Sequence, residues 1–218
     1  MLYNTVMSGV APIRVAIIED EILVASMLSA WLSRNSRFAL AGAAHNGQDG
    51  LQLCLQTRPD VALIDVMMPG MDGLDLAAAL IKELPDMKII ILSARLDPYC
   101  IHRIQRLGIQ GYVDKASSPE IVTEAILTVA RGETFQTPSY ATRLNQLRSD
   151  PNAFFKILSD REVDILKLLS TGHNLNDIAR QMGITYHTAR THQRNIRKKL
   201  EVHGTLDLLA HAKKNGFF

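Results

Sequence analysis

The sequence predicts an α/β chain: a five-stranded parallel, doubly wound sheet of order 2-1-3-4-5, followed by a small all-α bundle of four helices. Three observations carry this. Between residues 13 and 131, short apolar runs alternate five times with helix-length segments, the pattern of a parallel sheet covered on both faces. From residue 156 onward the apolar spacing is helical throughout. Charge divides the same way. Residues 1–150 carry 13 Lys/Arg against 16 Asp/Glu, a net of −3, whereas residues 151–218 carry 11 against 6, a net of +5. An acidic or neutral domain is therefore joined to one suited to an anion, nucleic acid above all.

The organising stretch is V-A-L-I-D-V-M-M-P-G-M-D-G, residues 61–73. A continuous apolar run reads as a strand buried on both faces, and it delivers Asp65 to its carboxyl end. Pro69, Gly70 and Gly73 turn the chain, and Leu74, Leu76, Ala77 and Leu80 resume at helical spacing. The other strands are 13–18, ending at Glu19-Asp20-Glu21; 38–44; 87–92, closed by Ser93; and 110–113, closed by Asp114-Lys115. Helices are expected from Glu21 to about Arg34, around Leu51–Leu55, to about Glu83, from Pro98 to Leu107, and from Pro119 to Ala130. Right-handed crossovers favour the 2-1-3-4-5 order for this strand count.

In that order the strand ends gather Glu19, Asp20, Asp65, Ser93 and Lys115, at the edge where open α/β sheets bind ligands. Crowded carboxylates repel and need a cation. Mg²⁺ suits them, since it prefers oxygen ligands and uses one or two carboxylates plus a phosphate. Lys115 is a point charge within reach of Asp65 or a phosphoryl oxygen, and the Ser93 hydroxyl can donate to one. A carboxylate so placed can act as a nucleophile towards phosphorus, giving an aspartyl phosphate.

With these residues in place, 13–131 resembles a response-regulator receiver domain, through Glu19-Asp20, D-V-M-M-P-G-M-D-G, Ser93-Ala94, Tyr112 and Lys115. The resemblance implies that a histidine kinase phosphorylates Asp65. It implies Mg²⁺ held by Asp20, Asp65 and the Met67 carbonyl, with Glu19 acting through water, and Ser93 and Tyr112 as a switch pair. Receivers often carry a proline after the lysine. Here Ala116 follows, and a cis bond before a non-proline costs about 3 kcal/mol, so a trans joint is expected.

Residues 132–155 are polar, with Pro138 and Pro151, and read as a linker with a helical turn or more near 142–148. Residues 156–218 form the second domain. Ser159-Asp160-Arg161-Glu162 is a capping box that opens a helix. Gly172 ends it, Asn174 opens the next, Gly183 ends that, and Thr185 caps a third helix running to about Leu200. A short helix, a glycine turn and a longer basic helix make a helix-turn-helix. From Ile178 to Leu200 there are six Lys/Arg and no acid. At 100° per residue Ala189, Ile196 and Leu200 face inward; His187, Thr191, Arg194 and Lys198 lie opposite, with Arg190 and Arg197 on one flank. A last helix, with Leu206, Leu209 and Ala212, is expected to supply a dimer contact on DNA.

Residues 157–212 resemble the LuxR-type DNA-binding domain, through L-S-D-R-E-V, I-A-R-Q-M-G-I, T-A-R-T-H and N-I-R-K-K-L. Joined to a receiver, this identifies the NarL/FixJ class. The resemblance implies that Arg190, Thr191 and Arg194 face bases and that Lys198 and Lys199 meet phosphates. The expected partners are a cognate histidine kinase and double-stranded DNA, bound as a homodimer. The protein is expected to be cytoplasmic, because no apolar run approaches a membrane span and the N-terminus lacks the basic start of a signal peptide. Cys54 and Cys100 are isolated and read as buried thiols. The chain is not expected to be an enzyme apart from self-phosphorylation and autodephosphorylation at Asp65. A phosphatase of the haloacid-dehalogenase type resembles D-x-D at its nucleophile, whereas residue 67 is Met. A flavodoxin-like carrier would need a phosphate loop where Glu19-Asp20-Glu21 stands.

Overall fold

A computed structural model of the chain describes residues 11–218; most of the expected tail, residues 1–12, lies outside the described residues. Contacts divide the chain into two units, one running to Ala94 and including Leu107–Tyr140, the other made of Arg95–Arg106 and Ala141–Phe218.

In the first unit β1 (Ile13–Ile18), β2 (Phe38–Ala44), β3 (Val61–Asp65), β4 (Lys88–Ser93) and β5 (Gly111–Asp114) form a parallel sheet in the expected order 2-1-3-4-5. The helices α1 (Ile22–Ser33), α2 (Gly47–Thr57), α3 (Gly73–Glu83) and, later in the chain, α5 (Pro119–Ala130) connect the strands. Side-chain alternation sorts the strands' residues to two faces. Val15, Ile17, Leu63 and Ile90 pack in one core with Leu28 of α1 and Ile126 of α5. Ala16, Ile18, Ala62 and Ile64 point the other way and are equally buried. Gly50 of α2 explains how closely that layer is drawn in, because a Cβ there would lie 2.7 Å from the Ile18 side chain. Each fully buried Leu or Ile contributes about 1.5–3 kcal/mol relative to exposure.

The five-stranded expectation needs a correction: among the described residues the sheet has six strands. β6 (Phe135–Gln136) pairs in parallel with β5, Phe135 opposite Gly111 and Gln136 opposite Tyr112. In the sequence these residues read as linker. Two residues are too few to show periodicity, so no local pattern announces the strand. At the opposite margin β2 carries a bulge: Val15 faces Leu40 but Ala16 faces Gly42, leaving Ala41 over, and Gly42 takes φ +149. The linker region also holds α6 (Pro138–Ser149), three turns where a turn or more was expected, and a short α7 (Phe154–Ile157).

The second unit contains α4 (Pro98–Arg106), α6 from Ala141 onward, α7, α8 (Asp160–Ser170), α9 (Leu175–Gln181), α10 (Tyr186–Lys199) and α11 (Thr205–Lys214). Val163 and Leu166 of α8, Ile178 of α9, Ala189 and Ile196 of α10, and Ala212 of α11 form its core. Tyr99 of α4 joins them, its ring 4.3 Å from that of Phe217. The dimer expectation for α11 is corrected at Ala212, which is fully buried in this core, whereas Leu206 of the same helix is 81% exposed. No helix among the described residues is long and apolar enough to cross a membrane.

Candidate functional site

Two chemically opposite sites stand out, an acidic one in the first unit and a basic one in the second. The acidic site is built by the carboxyl ends of β1, β3 and β5. Asp65 closes β3 and is 2% exposed, and Glu19, just past β1, is 1% exposed. Burial of such groups is costly without compensation. Lys115, just past β5, supplies part of it: its Nζ donates to Asp65 Oδ2 at 2.8 Å, Glu19 Oε1 at 2.9 Å and Glu21 Oε1 at 3.0 Å. The Met67 N–H donates to Asp65 Oδ1 at 3.2 Å. Burial alone would lower the Lys115 pKa, but the three carboxylates outweigh it and raise it. Glu19 goes up in the other sense, raised chiefly by burial and also by Asp65, with Lys115 and the Glu21 N–H opposing.

One ammonium does not balance this set. Glu19, Asp20 and Asp65 each bring a carboxylate oxygen within 4.8 Å of the others'. Glu19 Oε2 is buried with no hydrogen-bond partner, an arrangement that costs about 1–3 kcal/mol for a neutral group and more for a charged one. An all-oxygen donor set with an orphaned buried oxygen fits a hard divalent cation. Gly73 keeps the loop after Asp65 folded over the site: its N–H donates to the Val66 carbonyl at 3.0 Å, and a Cβ would lie 1.9 Å from the Asp65 carbonyl oxygen. Asp72 caps α3, accepting from the Leu74 and Asp75 N–H groups.

Ser93, the last residue of β4, is fully buried; its carbonyl accepts from the Tyr112 hydroxyl at 2.9 Å and from the Lys115 N–H at 3.2 Å. The acidic triplet, Ser93, Tyr112 and Lys115 thus meet at one sheet edge. The sequence marks Glu21 only as a helix start; its hold on Lys115 is an addition from the structure, for which the three consecutive acids are the available signal. Every peptide bond among the described residues is trans, Lys115–Ala116 included.

The basic site is the outer face of α10. Thr185 starts it, its hydroxyl accepting the Thr188 N–H at 3.1 Å. Ala189, Ile196 and Leu200 are buried, which fixes the rotation of the helix. His187, Arg190, Arg194 and Lys198 are exposed and Thr191 is half-buried. A shallow depression along this face is lined by His187, Arg190, Thr191, Gln193, Arg194 and Arg197. Gln193 was not among the expected contacts; it belongs to the same strip of helix surface.

Lys199 departs from expectation. The resemblance implies a phosphate contact for it, yet its Nζ donates to Glu162 Oε2 at 2.8 Å. Glu162, 4% exposed, also accepts from the Ser159 N–H at 2.8 Å and the Ser159 hydroxyl at 2.9 Å, completing the capping box. A buried carboxylate outcompetes solvent for the nearest ammonium, so Lys199 ties α10 to the start of α8. Burial would push the Glu162 carboxyl up, but Lys199 and Ser159 outweigh it and hold the carboxyl below its ordinary value. This pairing therefore stabilises the unit above pH 4.5, and the stability is lost as pH falls through the lower folded value. Lys199→Ala should cost about 1–2 kcal/mol, the lower part of the range for an abandoned buried acceptor because Lys199 is 42% exposed. Hydrogen exchange of α8 and α10 amides at pH 7 and pH 4 measures it; protection equal to the parent's at both would refute the tie.

Residues 15–127 match the response regulator receiver domain and residues 156–212 match the bacterial regulatory proteins of the luxR family. The chain is 28% identical over 190 residues to the response regulator protein VraR of Staphylococcus aureus, covering 87% of this chain and 91% of that protein. Among solved structures, the RcsB response regulator of Salmonella typhimurium aligns with TM-score 0.60 at 22% identity, over 94% of this chain and 99% of that one. An RcsB–DNA complex aligns with TM-score 0.62 at 21% identity, over 93% and 98%. The response regulator ChrA of a heme-sensing two-component system aligns with TM-score 0.55 at 26% identity, over 96% and 100%.

Proposed function

Since this chain belongs to the two-component response regulators of the NarL/FixJ class, a receiver domain joined to a LuxR-type DNA-binding domain, we propose that phosphorylation of Asp65 by a cognate histidine kinase controls binding of α10 to specific double-stranded DNA. The protein is a phosphorylation-regulated transcription factor and not a metabolic enzyme. The observation that carries the proposal is the buried Asp65 carboxylate held by Lys115 beside Glu19 and Asp20, in a chain whose α10 offers an acid-free basic face.

In the reaction an Asp65 carboxylate oxygen attacks the phosphorus of a phosphohistidine. An O–P bond forms, the P–N bond breaks, and the imidazole nitrogen leaves with the electron pair. Lys115, held protonated by its carboxylate neighbours, then bonds a phosphoryl oxygen, and the Ser93 hydroxyl donates to another. Asp20, Asp65 and the Met67 carbonyl would hold Mg²⁺, with Glu19 acting through water; such an ion would offset the negative charge of the transferred group. At the other end of the chain, Arg190, Thr191 and Arg194 face bases, while Lys198 meets the backbone and His187 lies at the start of the helix. Two copies bind two half-sites; for RcsB, a solved structure holds two dimers bound to two parallel DNAs. The setting is the cytoplasm, where kinase and DNA are both within reach.

The test is fluorescence anisotropy of the full-length protein on genomic DNA fragments, with and without beryllofluoride and Mg²⁺. Tighter binding to a subset of fragments in the presence of the phosphoryl analogue is expected. Identical affinities on every fragment would leave a DNA binder that ignores the acidic site.

A further inference from the structure

We propose that Tyr140, in the first turn of α6, is the positioning residue through which the state of Asp65 reaches the segment leading to the DNA-binding unit. The inference rests on the phosphorylation of Asp65 proposed above and adds the route by which it is read.

The segment after α5 is built onto the strand that carries Lys115. Tyr140 is fully buried, and its ring stacks on that of Tyr112 with centroids 4.4 Å apart and an interplanar angle of 25°. Thr137 is 3% exposed, and its N–H donates to the Tyr112 carbonyl at 3.2 Å. The Ser139 hydroxyl donates to Asp114, the residue before Lys115. Three of the four residues 137–140 therefore grip residues 112 and 114 of β5.

Those β5 residues are in turn tied to the groups that must answer a phosphoryl group. The Tyr112 hydroxyl and the Lys115 N–H share the Ser93 carbonyl. The Lys115 ammonium spans Asp65, Glu19 and Glu21. A phosphoryl group on Asp65 brings about 1.5–2 negative charges and three strong acceptors. Lys115 and Ser93 then exchange their present partners for phosphoryl oxygens. Because the ends of β4 and β5 are linked through the Ser93 carbonyl, that exchange shifts the seat of the Tyr112 ring. Interiors are close-packed, so a ring stacked on a displaced ring must move or lose its contact. Tyr140 is the last residue of the first unit, and α6 continues without a break to Ser149 in the second. A displaced first turn is thereby passed along a helix and not along a slack chain. A ligand shifts an equilibrium only through contacts that differ between two states; the Tyr112–Tyr140 stack is such a contact.

The experiment compares the full-length protein with Tyr140→Phe and Tyr140→Leu. Each is measured for phosphoryl incorporation from acetyl phosphate, and for DNA affinity with and without beryllofluoride and Mg²⁺. In the parent the affinity should rise within the usual range for coupled sites, about 5–150-fold. Tyr140→Leu should incorporate phosphoryl as the parent does while its affinity gain collapses to about onefold. Tyr140→Phe, which keeps the ring, should retain the gain. A Tyr140→Leu protein as responsive as the parent overturns the proposal. Should that variant not fold, a fluorotyrosine placed at position 140 decides: its fluorine resonance should move when beryllofluoride is added and stay fixed in Asp65→Asn, and an unmoved resonance overturns the proposal. A parent protein that takes phosphoryl on Asp65 but gains no DNA affinity overturns the proposed function and this route with it.

Discussion

Asp65→Asn should take phosphoryl incorporation from acetyl phosphate down to background, and EDTA should do the same to the unaltered protein. Asparagine keeps the size of the side chain and loses the nucleophilic oxygen, so the failure is chemical and not a collapse of the site. Lys115 retains Glu19 and Glu21 as partners in the variant, which keeps the end of β5 in place. The EDTA arm follows from the charge imbalance: three carboxylates whose oxygens lie within 4.8 Å of one another, with Glu19 Oε2 orphaned, repel an incoming phosphate unless a cation intervenes. Intact-mass spectrometry reads both arms, with one added phosphoryl group in the parent. Undiminished labelling of Asp65→Asn would move the acceptor elsewhere, Asp20 being the next carboxylate. Undiminished labelling in EDTA would show that Lys115 alone suffices.

The second large effect lies on α10. Arg194→Ala should cost about 1–3 kcal/mol of DNA affinity and relax the preference at one base pair of each half-site, the signature of a lost bidentate contact to guanine. Lys198→Ala should weaken binding to all sequences alike and lower the salt slope by about one unit. The distinction comes from placement. Arg194 is exposed on the face opposite buried Ala189 and Ile196, and it lines the depression with Arg190. Lys198 lies a turn further on, where the proposed docking has the helix leaving the groove. Anisotropy titrations on a base-substitution series at two salt concentrations separate the two effects. Should Arg194→Ala shift every sequence equally while Lys198→Ala changes the preferred base, the helix is seated the other way round.

The parallel sheet, its order and the gathering of Glu19, Asp20, Asp65, Ser93 and Lys115 were legible because each rests on a local signal: an apolar run, a strand end, a right-handed crossover. The inward face of α10 was legible for the same reason, since Ala189, Ile196 and Leu200 keep helical spacing. What escaped depends on partners distant in the chain. Lys199 reads as one more cation of a basic helix; its partner, Glu162, stands 37 residues earlier. Glu162 itself reads only as half of a capping box, and nothing in that motif says that its carboxylate is also buried and bonded to Lys199 of α10. Tyr140 sits among polar residues and prolines, and its partner in the stack, Tyr112, stands 28 residues earlier. β6 owes its existence to the unfilled hydrogen bonds of β5, a property of the sheet and not of Phe135 and Gln136.

The two margins of that sheet have a bearing on how copies of the protein avoid one another. An outer strand with unmatched N–H and C=O groups is a template for another chain, and natural sheets blunt it. Here the β5 side ends in a strand of only two residues, Phe135 and Gln136, too short to seed a continuous ladder. The β2 side is broken by the bulge at Ala41-Gly42, which interrupts the even spacing that a recruited strand would need. Neither margin therefore offers the long regular ladder that end-to-end stacking into fibres requires.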